Sequence, residues 1–361
     1  MPIAFDHKRW QTVKQNARDW WAGKLGRPLI HMTLGGRAPG RTGAKIGIKR
    51  GKTMYDLSVT PEDIVDCWDY DLSCREYLGD SFPSVWPNFG PGVLAAFLGA
   101  KADPVPETIT VWFHPDRDRE AKDIHFSINP DNVWLRRIKD ICRAAHARWN
   151  GMVQVSMTDL GGNLDVLSTF RPGERLLLDL VDCPDEVKRL TWEEHAAWWK
   201  AFDEINAILR PANPGYTAWA PIFSETSYYM LQCDFCYMIG PEMFDEFVKP
   251  ELEASCKRLD HAFYHLDGVG QLPHLDSLLA IKELKGVQWV PGDGKPQGEA
   301  WPEVYRKILK SGKRAQFVGD WRNFDKLVDQ VGGAENFVVF GAEPADKRKE
   351  VEAFLKRHGA L

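Results

Sequence analysis

The feature that most constrains the fold of this chain is a regular alternation of two kinds of segment beyond residue 150. Short apolar runs rich in β-branched and aromatic residues predict strands, and they alternate with longer runs whose apolar residues recur at helical spacing. The predicted strands span residues 152–158, 217–223, 262–266, 287–290, 314–318 and 337–340. The predicted helices span residues 173–180, 184–208, 241–262, 272–281, 300–311 and 324–331. Alternating strands and helices favour a parallel sheet covered by helices, which is an α/β fold.

Two further predicted strands, at residues 28–34 and near 108–113, bring the number of strands to about eight. Eight parallel strands close a barrel, so we predict a (β/α)8 TIM-type barrel. The alternative is a doubly wound open sheet that binds a dinucleotide. Its G-x-G-x-x-G fingerprint is absent after the first predicted strand, where residues 35–38 read Gly-Gly-Arg-Ala.

The N-terminal part is predicted to be an elaboration of a single barrel domain that spans residues 1–361. Apolar residues recur at helical spacing in this part, so residues 1–27 are expected to carry a helix. Residues 35–56 are rich in Gly, Arg and Lys, which predicts a basic surface loop. The run Thr-Pro-Glu-Asp at 60–63 offers an N-cap, a proline in the first turn and acids at the positive end of the helix dipole. It predicts a helix over residues 60–78.

Charge and hydropathy exclude several classes of partner. The chain has 46 Lys and Arg against 51 Asp and Glu, a net charge of −5, so it lacks the basic field that holds nucleic acid or an anionic membrane. It has neither an apolar run of about 18 residues nor an apolar leader in its first twenty residues. We therefore expect a cytoplasmic protein without a nucleic acid or membrane partner. Seven scattered cysteines favour reduced thiols or metal ligands over disulfides.

Acidic side chains follow the predicted strands, at the end where such barrels carry their active sites. In chain order these strand-end residues are Asp159, Glu225, His265 with Asp267, Asp293, Asp320 and Glu343. Carboxylates that converge with an imidazole repel one another, and a divalent cation is the simplest way to keep them ionised together. The alternative is that each acid caps the helix that follows its strand.

The most specific pattern among these residues is His265-Leu266-Asp267. Residues two apart in a strand point to the same face, so His265 and Asp267 can offer a nitrogen and an oxygen to one metal ion. The alternative is a core imidazole that is satisfied by Asp267 alone. Cys233 and Cys236 have the spacing of zinc and redox sites, but a single such pair favours two packed thiols. Asp234, between them, is expected to face the same mouth of the barrel.

Other catalytic motifs are missing from the sequence. It contains no G-x-S-x-G, no P-loop and no H-E-x-x-H, which argues against a serine hydrolase, a nucleoside triphosphatase and a zincin protease. Glycoside hydrolysis requires only two carboxylates on a barrel, so it remains an alternative at this point.

Several segments resemble the uroporphyrinogen decarboxylase superfamily. The runs Gln-Cys-Asp-Phe at 232–235, Ile-Gly-Pro-Glu-Met-Phe-Asp-Glu-Phe at 239–247 and Lys-Pro at 249–250 are similar to its signature D-F…I-S-P-x-M-F-x-E-F-x-x-P. The run Tyr-His-Leu-Asp-Gly at 264–268 lies where the cobalamin-linked methyltransferases of that superfamily carry a His-x-Cys zinc pair. The resemblance covers most of the chain, including residues 159–165 and 287–292, and it implies a (β/α)8 barrel.

The chain also departs from the family pattern at positions that matter for chemistry. Residues 33–37 keep only the final Gly-Arg of the decarboxylases' Arg-Gln-Ala-Gly-Arg loop, and Phe-Gly-Ala-Glu at 340–343 replaces their Gly-His-Gly. Asp267 replaces the cysteine of the methyltransferases' His-x-Cys pair, and Glu343 stands near the place of their distal cysteine. A metal held by histidine and carboxylates is harder and more Lewis-acidic than one held by thiolates, so it suits an oxygen or amine ligand.

The resemblance implies a metal-dependent methyltransferase that moves a methyl group between a small oxygen- or nitrogen-methylated substrate and a corrinoid. Zn²⁺ or a similar divalent metal is expected on His265, Asp267 and Glu343, and the expected catalytic residues are Asp234, Asp159, Glu225 and Arg37. The chain lacks a corrinoid-binding Asp-x-His-x-x-Gly motif, so the corrinoid is expected on a separate carrier protein that docks at the loop 35–56. The alternatives are a lyase that decarboxylates a small carboxylated substrate beside Arg37, and a binding protein without catalysis.

Overall fold

A computed structural model describes residues 3–49, 52–105 and 110–361 of the chain. Its strands are β1 Leu29–Gly35, β2 Arg75–Gly79, β3 Ser84–Val85, β4 Lys101–Val105, β5 Thr110–His114, β6 Gln154–Val155, β7 Tyr228–Gln232, β8 His261–Asp267, β9 Leu284–Val290, β10 Arg314–Phe317 and β11 Phe337–Pro344. Its helices are α1 His7–Trp21, α2 Pro61–Ser73, α3 Leu94–Phe97, α4 Val133–Trp149, α5 Asn163–Phe170, α6 Arg175–Asp182, α7 Pro184–Leu209, α8 Pro241–Met243, α9 Lys249–Arg258, α10 Leu275–Leu279, α11 Pro302–Lys310, α12 Phe324–Val331 and α13 Arg348–Arg357.

The main sheet has the strand order β2–β1–β11–β10–β9–β8–β7. All neighbours in it are parallel except β1 and β2, which are antiparallel. Parallel neighbours need a crossover between them, and helices follow β7, β8, β9 and β10 along the chain. The strands β3 and β6 form a separate short parallel pair, and β4 and β5 form an antiparallel hairpin. The predicted α/β fold with a mostly parallel sheet is therefore confirmed, and the closed barrel stays a prediction.

The predicted strand 217–223 is wrong. Residues 217–223 form a loop that an antiparallel bridge closes, with Tyr216 N donating to Ser224 O at 2.7 Å and Ser224 N donating to Tyr216 O at 3.0 Å. Pro221 within this run has no N–H to donate to a neighbouring strand. The strand of the sheet is β7, which begins after this loop and is buried along its whole length.

The structure corrects two other predicted elements. Residues 108 and 109 of the predicted strand 108–113 lie outside the described residues, and the rest of it belongs to β5, which pairs with β4 away from the main sheet. The predicted helix 60–78 ends at Ser73, and the chain continues as the edge strand β2. Tertiary pairing with β1 therefore determines the conformation of residues 75–79.

The predicted N-terminal helix is confirmed as α1, and it covers the sheet where the strands begin. The Trp21 ring stacks on His261, the first residue of β8, with ring centroids 4.1 Å apart. Arg314, the first residue of β10, donates to the Trp21 carbonyl at 2.8 Å. The opposite end of the parallel strands, where their last residues lie, is thus left to the candidate site.

Residues 50 and 51 of the predicted basic loop 35–56 lie outside the described residues. After Gly35 ends β1, the described remainder of the loop has only one short helical turn, Thr53–Tyr55. Arg41 anchors it to α2 through ion pairs with Asp66 and Asp69, the latter at 2.7 Å. Across the part of the chain that the structure describes, no helix combines the length and the apolar character needed to cross a membrane.

Candidate functional site

A layer of polar side chains crosses four neighbouring strands near their carboxyl ends. In the register of the sheet, Gln232 on β7 pairs with His265 on β8, and His265 pairs with Gln288 on β9. Gln288 pairs in turn with Gln316 on β10. Residues paired in this way point to the same face of a sheet, so the four side chains lie side by side. They stand between apolar residues in strands that are mostly buried, which indicates a site rather than a packing core.

Hydrogen bonds within this layer fix the His265 ring. Gln288 Nε2 donates to Gln316 Oε1 at 2.9 Å, which leaves the amide oxygen of Gln288 to accept the proton on His265 Nδ1. His265 Nε2 is then the unprotonated nitrogen, and it lies 3.8 Å from Asp267 Oδ2. A histidine that binds a metal through one ring nitrogen usually makes a hydrogen bond with the other. That bond orients the ring and fixes its tautomer.

Three side chains converge at this end of β7 and β8. Asp234, His265 and Asp267 each offer one ligand atom, and these atoms lie within 4.8 Å of one another. His265 and Asp267 come from β8, and Asp234 opens the turn that follows β7. In the described residues, the only ion pair of Asp234 or Asp267 is the one between Asp267 and His265. Within the part of the chain that the structure describes, no lysine or arginine forms an ion pair with either aspartate.

Asp165 is a further acid at this site that the sequence analysis did not assign. It lies on α5 and accepts hydrogen bonds from the backbone N–H groups of Asp234 at 2.8 Å and Phe235 at 2.7 Å. It therefore holds the turn that carries Asp234. Burial raises the pKa of Asp165 to about 8, and the negative charge of Asp234 adds to this effect.

Asp159 lies beneath the same mouth and joins the polar layer. It is 6% exposed, and its Oδ1 accepts from Gln232 Nε2 at 3.2 Å and from Gly161 N at 2.8 Å. Burial raises the pKa of Asp159 to about 6. The carboxyl can therefore hold or release a proton near neutral pH.

The loop after β8 requires glycine because the Tyr237 ring packs closely against its backbone. A Cβ on Gly270 would lie 2.6 Å from the Tyr237 ring, and Gly268 has φ +83° with the same ring 3.1 Å from its Cβ position. Tyr237 belongs to the turn that begins with Asp234. The two glycines therefore let the turns that follow β7 and β8 pack together, which brings Asp234 beside Asp267.

A cavity of about 490 Å³ adjoins this group. Gln288 and Gln316 line it, and so does Trp219, whose ring meets the His265 ring edge to face with centroids 4.9 Å apart. The volume lies within the range of small-molecule sites.

The structure does not bring every predicted site residue to this place. Glu225 precedes β7 instead of following a strand, so it lies near the start of the parallel strands and pairs with Arg18 at 2.9 Å. Glu343 is near the end of β11, but it accepts from Arg322 at 2.8 Å and from Trp321 Nε1 at 2.9 Å. These donors, Arg322 first, lower the pKa of Glu343 and occupy its carboxylate.

Three other predicted groups also lie outside the converging carboxylates. Arg37 donates to the Ser73 carbonyl at the end of α2 at 2.6 Å. Asp320 caps the short helical turn Trp321–Asn323, so the helix-cap interpretation applies to it. Cys233 and Cys236 are buried free thiols. The group that the structure brings together is therefore Asp234, His265 and Asp267, with Asp159 and Asp165 beneath and beside it.

The sequence analysis gave no role to the three glutamines of the polar layer. A pattern that could have found them is one glutamine in each of three mostly apolar runs, Tyr-Tyr-Met-Leu-Gln, Val-Gln-Trp-Val and Arg-Ala-Gln-Phe. The register of the sheet is what places the three glutamines in one layer, and the sequence does not show that register. No protein-family model matches this chain, and no curated protein shows significant similarity to it.

Proposed function

We propose that this chain is a metal-dependent methyltransferase that moves a methyl group between a small oxygen- or nitrogen-methylated substrate and a corrinoid on a carrier protein. The observation that carries the proposal is the convergence of Asp234, His265 and Asp267 beside a cavity of about 490 Å³. The resemblance of residues 232–250 and 264–268 to cobalamin-linked methyltransferases supplies the reaction class.

The proposal includes a closed (β/α)8 barrel. Six parallel strands of the main sheet and the parallel pair β3–β6 give eight, the number that closes such a barrel. Met157 N, just beyond β6, donates to Thr217 O, so a backbone hydrogen bond connects the short pair with the loop that precedes β7. The position of the acidic group at the carboxyl ends of strands agrees with the location of active sites in this fold.

The donor set fits a divalent metal of the zinc type. It contains two carboxylates and one imidazole, whose Nε2 carries no proton when Gln288 accepts from Nδ1. A metal bound there would polarise a substrate oxygen or nitrogen as a Lewis acid. The residues of the chain orient this set: Gln288 holds His265, and Asp165 holds the turn that carries Asp234.

Asp159 provides the proton chemistry in this proposal. A leaving oxygen or amine gains a proton when the methyl group departs, and a carboxyl with a pKa of about 6, raised by burial, can supply it near neutral pH. The corrinoid would arrive on the carrier, which we place at the loop 35–56. Arg41 and Lys45 of this loop pair with aspartates of α2, which hold the loop in place at the proposed docking site.

Metal analysis tests the proposal first. Protein purified without chelator or affinity metal should contain about one zinc or similar ion per chain by mass spectrometry. The variants His265→Ala and Asp267→Ala should lose it, because each removes one of three ligands. His114→Ala is the matched control, since His114 lies exposed on the hairpin and should leave the metal content unchanged.

Equal metal content in the parent and in His265→Ala would overturn the ligand assignment. With the metal confirmed, a carrier holding reduced Co(I) corrinoid, mixed with the protein and a methyl donor, should change its absorption spectrum as the methyl group passes to cobalt. A metal-loaded protein without any such change across oxygen and nitrogen methyl donors would exclude methyl transfer.

A carboxy-lyase is the second candidate, because a guanidinium does line the cavity. It belongs to Arg75 rather than to the Arg37 of the sequence expectation. A cation near the developing charge is what decarboxylation requires. Release of CO₂ from small carboxylated substrates, lost in Arg75→Gln, would favour this candidate over methyl transfer.

A further inference from the structure

We propose that the cavity beside the Asp234, His265 and Asp267 group binds a flat aromatic carboxylate, with the ring between aromatic walls and the carboxylate on Arg75. This inference rests on the proposed function in one respect, namely that the cavity holds the substrate of that site. It adds the class of molecule, which the metal group alone does not define.

The walls of the cavity favour a flat, apolar body. Four aromatic side chains line it: Tyr77, Phe82, Trp219 and Phe340. Aromatic faces and edges attract a second ring in stacked or edge-to-face geometry. The volume of about 490 Å³ lies within the range of small-molecule sites, so one substituted ring fits with room to spare.

His31 is a buried polar group in this wall that needs a partner. The residue is 6% exposed, and its Nε2 has no hydrogen-bond partner in the described residues. Its ring stacks on Phe340 with centroids 4.8 Å apart, which holds it in the wall. Buried polar atoms are almost always hydrogen bonded, and the His31 ring lines the cavity, so a ligand oxygen that meets Nε2 after a small shift of the ring would satisfy it. Burial lowers the pKa of His31 to about 4, so the ring acts as a neutral hydrogen-bonding group.

Arg75 supplies the only guanidinium in the described lining of the cavity. Arg75 and Tyr77 lie two apart on β2, so their side chains share one face of the strand. Glu76 between them points the other way and pairs with Arg348 at 2.6 Å. No ion pair of Arg75 occurs in the described residues, so its charge is open to a ligand at the cavity rim.

One planar guanidinium on an aromatic cavity matches a carboxylate better than a phosphate. Arginine binds a carboxylate through two parallel hydrogen bonds, and the ligand then carries a single charge that a single arginine balances. With the carboxylate on Arg75, the far side of the ring faces the wall formed by Trp219 and Gln288, whose side chains contact His265. A methylated oxygen on that side of the ring would lie beside the metal group.

Titration calorimetry with a small panel of probes tests this inference on the full chain. The probes are 4-methoxybenzoate, methoxybenzene, cyclohexanecarboxylate and inorganic phosphate. We expect 4-methoxybenzoate to bind at least tenfold more tightly than the other three. Arg75→Gln should weaken its binding about tenfold and leave that of methoxybenzene unchanged. Arg136→Gln is the matched control, because Arg136 is exposed and pairs only with Asp131 in the described residues.

His31→Phe is the second variant, since it keeps a ring to stack on Phe340 and removes Nε2. We expect it to weaken 4-methoxybenzoate severalfold, with an unchanged circular dichroism spectrum that shows intact folding. Equal binding of 4-methoxybenzoate to the parent and to Arg75→Gln would overturn the inference. So would phosphate that binds as tightly as the carboxylates, or cyclohexanecarboxylate that binds as tightly as the aromatic acid.

The same titrations on His265→Ala separate this inference from the proposed function. Metal in the parent without aromatic carboxylate binding would overturn the inference and leave the metal site standing. Aromatic carboxylate binding in a protein without metal would support the inference while the proposed function fails.

Discussion

Burial shifts the pKa values of single residues at this site, and His31 shows how such a shift affects the free energy of unfolding. Its pKa is about 4 in the folded chain because burial disfavours the charged ring, against 6.5 for a solvated histidine. Between these values the unfolded chain binds more protons than the folded one. The free energy of unfolding should therefore fall as pH drops from 6.5 to 4, with His31 contributing on the order of 3 kcal/mol.

Urea unfolding at pH 4.5 and pH 7 measures this contribution. Burial raises the pKa of Asp159 and so opposes His31 in an overlapping pH window, which is why the parent alone is not informative. The loss of stability on acidification should be smaller in His31→Phe than in the parent, and unchanged in the exposed His114→Ala. An identical pH dependence in all three chains would mean that His31 is not buried as a neutral ring.

At the scale of elements, helix caps are the features that local sequence determines best. Thr60 Oγ1 accepts from Asp63 N at 3.1 Å, and α2 begins at Pro61 as the sequence predicted. Thr60→Ala should lower the free energy of unfolding by about 1 kcal/mol, because it leaves that N–H without its cap. Thr42→Ala, in the exposed part of the basic loop, should change it by less than about 0.5 kcal/mol. Equal effects of the two substitutions in urea unfolding would contradict the cap.

Whether an apolar run forms a strand depends on the strand that pairs with it, so the sequence predicted strands less well than helix caps. The strands β1 and β8 to β11 lie where apolar runs predicted them, because each of these short apolar runs is bordered by turn residues. The run 217–223 has a similar pattern but forms a loop, while β7 was missed. Local pattern does not distinguish these two runs; only β7 finds β8 beside it.

In the candidate site too, residues placed by local sequence could be predicted, and residues placed by neighbouring elements could not. His265 and Asp267 could be predicted together, because the two-residue period of one strand places both on one face. Asp234 was expected at the same mouth from its place between Cys233 and Cys236, and the superfamily resemblance then gave it a catalytic role. Glu225 was misplaced because the strand before it does not exist, and Glu343 because nothing in the sequence announces its pairing with Arg322. Asp165 and the three glutamines depend on which strands and helices are adjacent, which only the fold decides.

At the scale of the whole molecule, α1 and the site occupy opposite ends of the parallel strands. One continuous cluster of buried apolar residues extends from α1 to α13, so the two ends share a core. Trp10 of α1 is 4% exposed, donates to the Met152 carbonyl at 2.9 Å and packs on Phe82, which also lines the cavity. The N-terminal helix is therefore coupled by packing to the wall of the candidate substrate site.

This coupling predicts that the chain unfolds as one unit. Trp10→Ala should lower the free energy of unfolding by about 3–5 kcal/mol, because it leaves a large cavity and an unpaired carbonyl in a shared core. Far-ultraviolet circular dichroism and tryptophan fluorescence should still give coincident urea transitions. Trp112→Ala, whose ring is 57% exposed on β5, should cost far less. An early transition in Trp10→Ala that leaves most of the helical signal intact would show that α1 is a separate unit, and the cavity would then keep its ligand after α1 has unfolded.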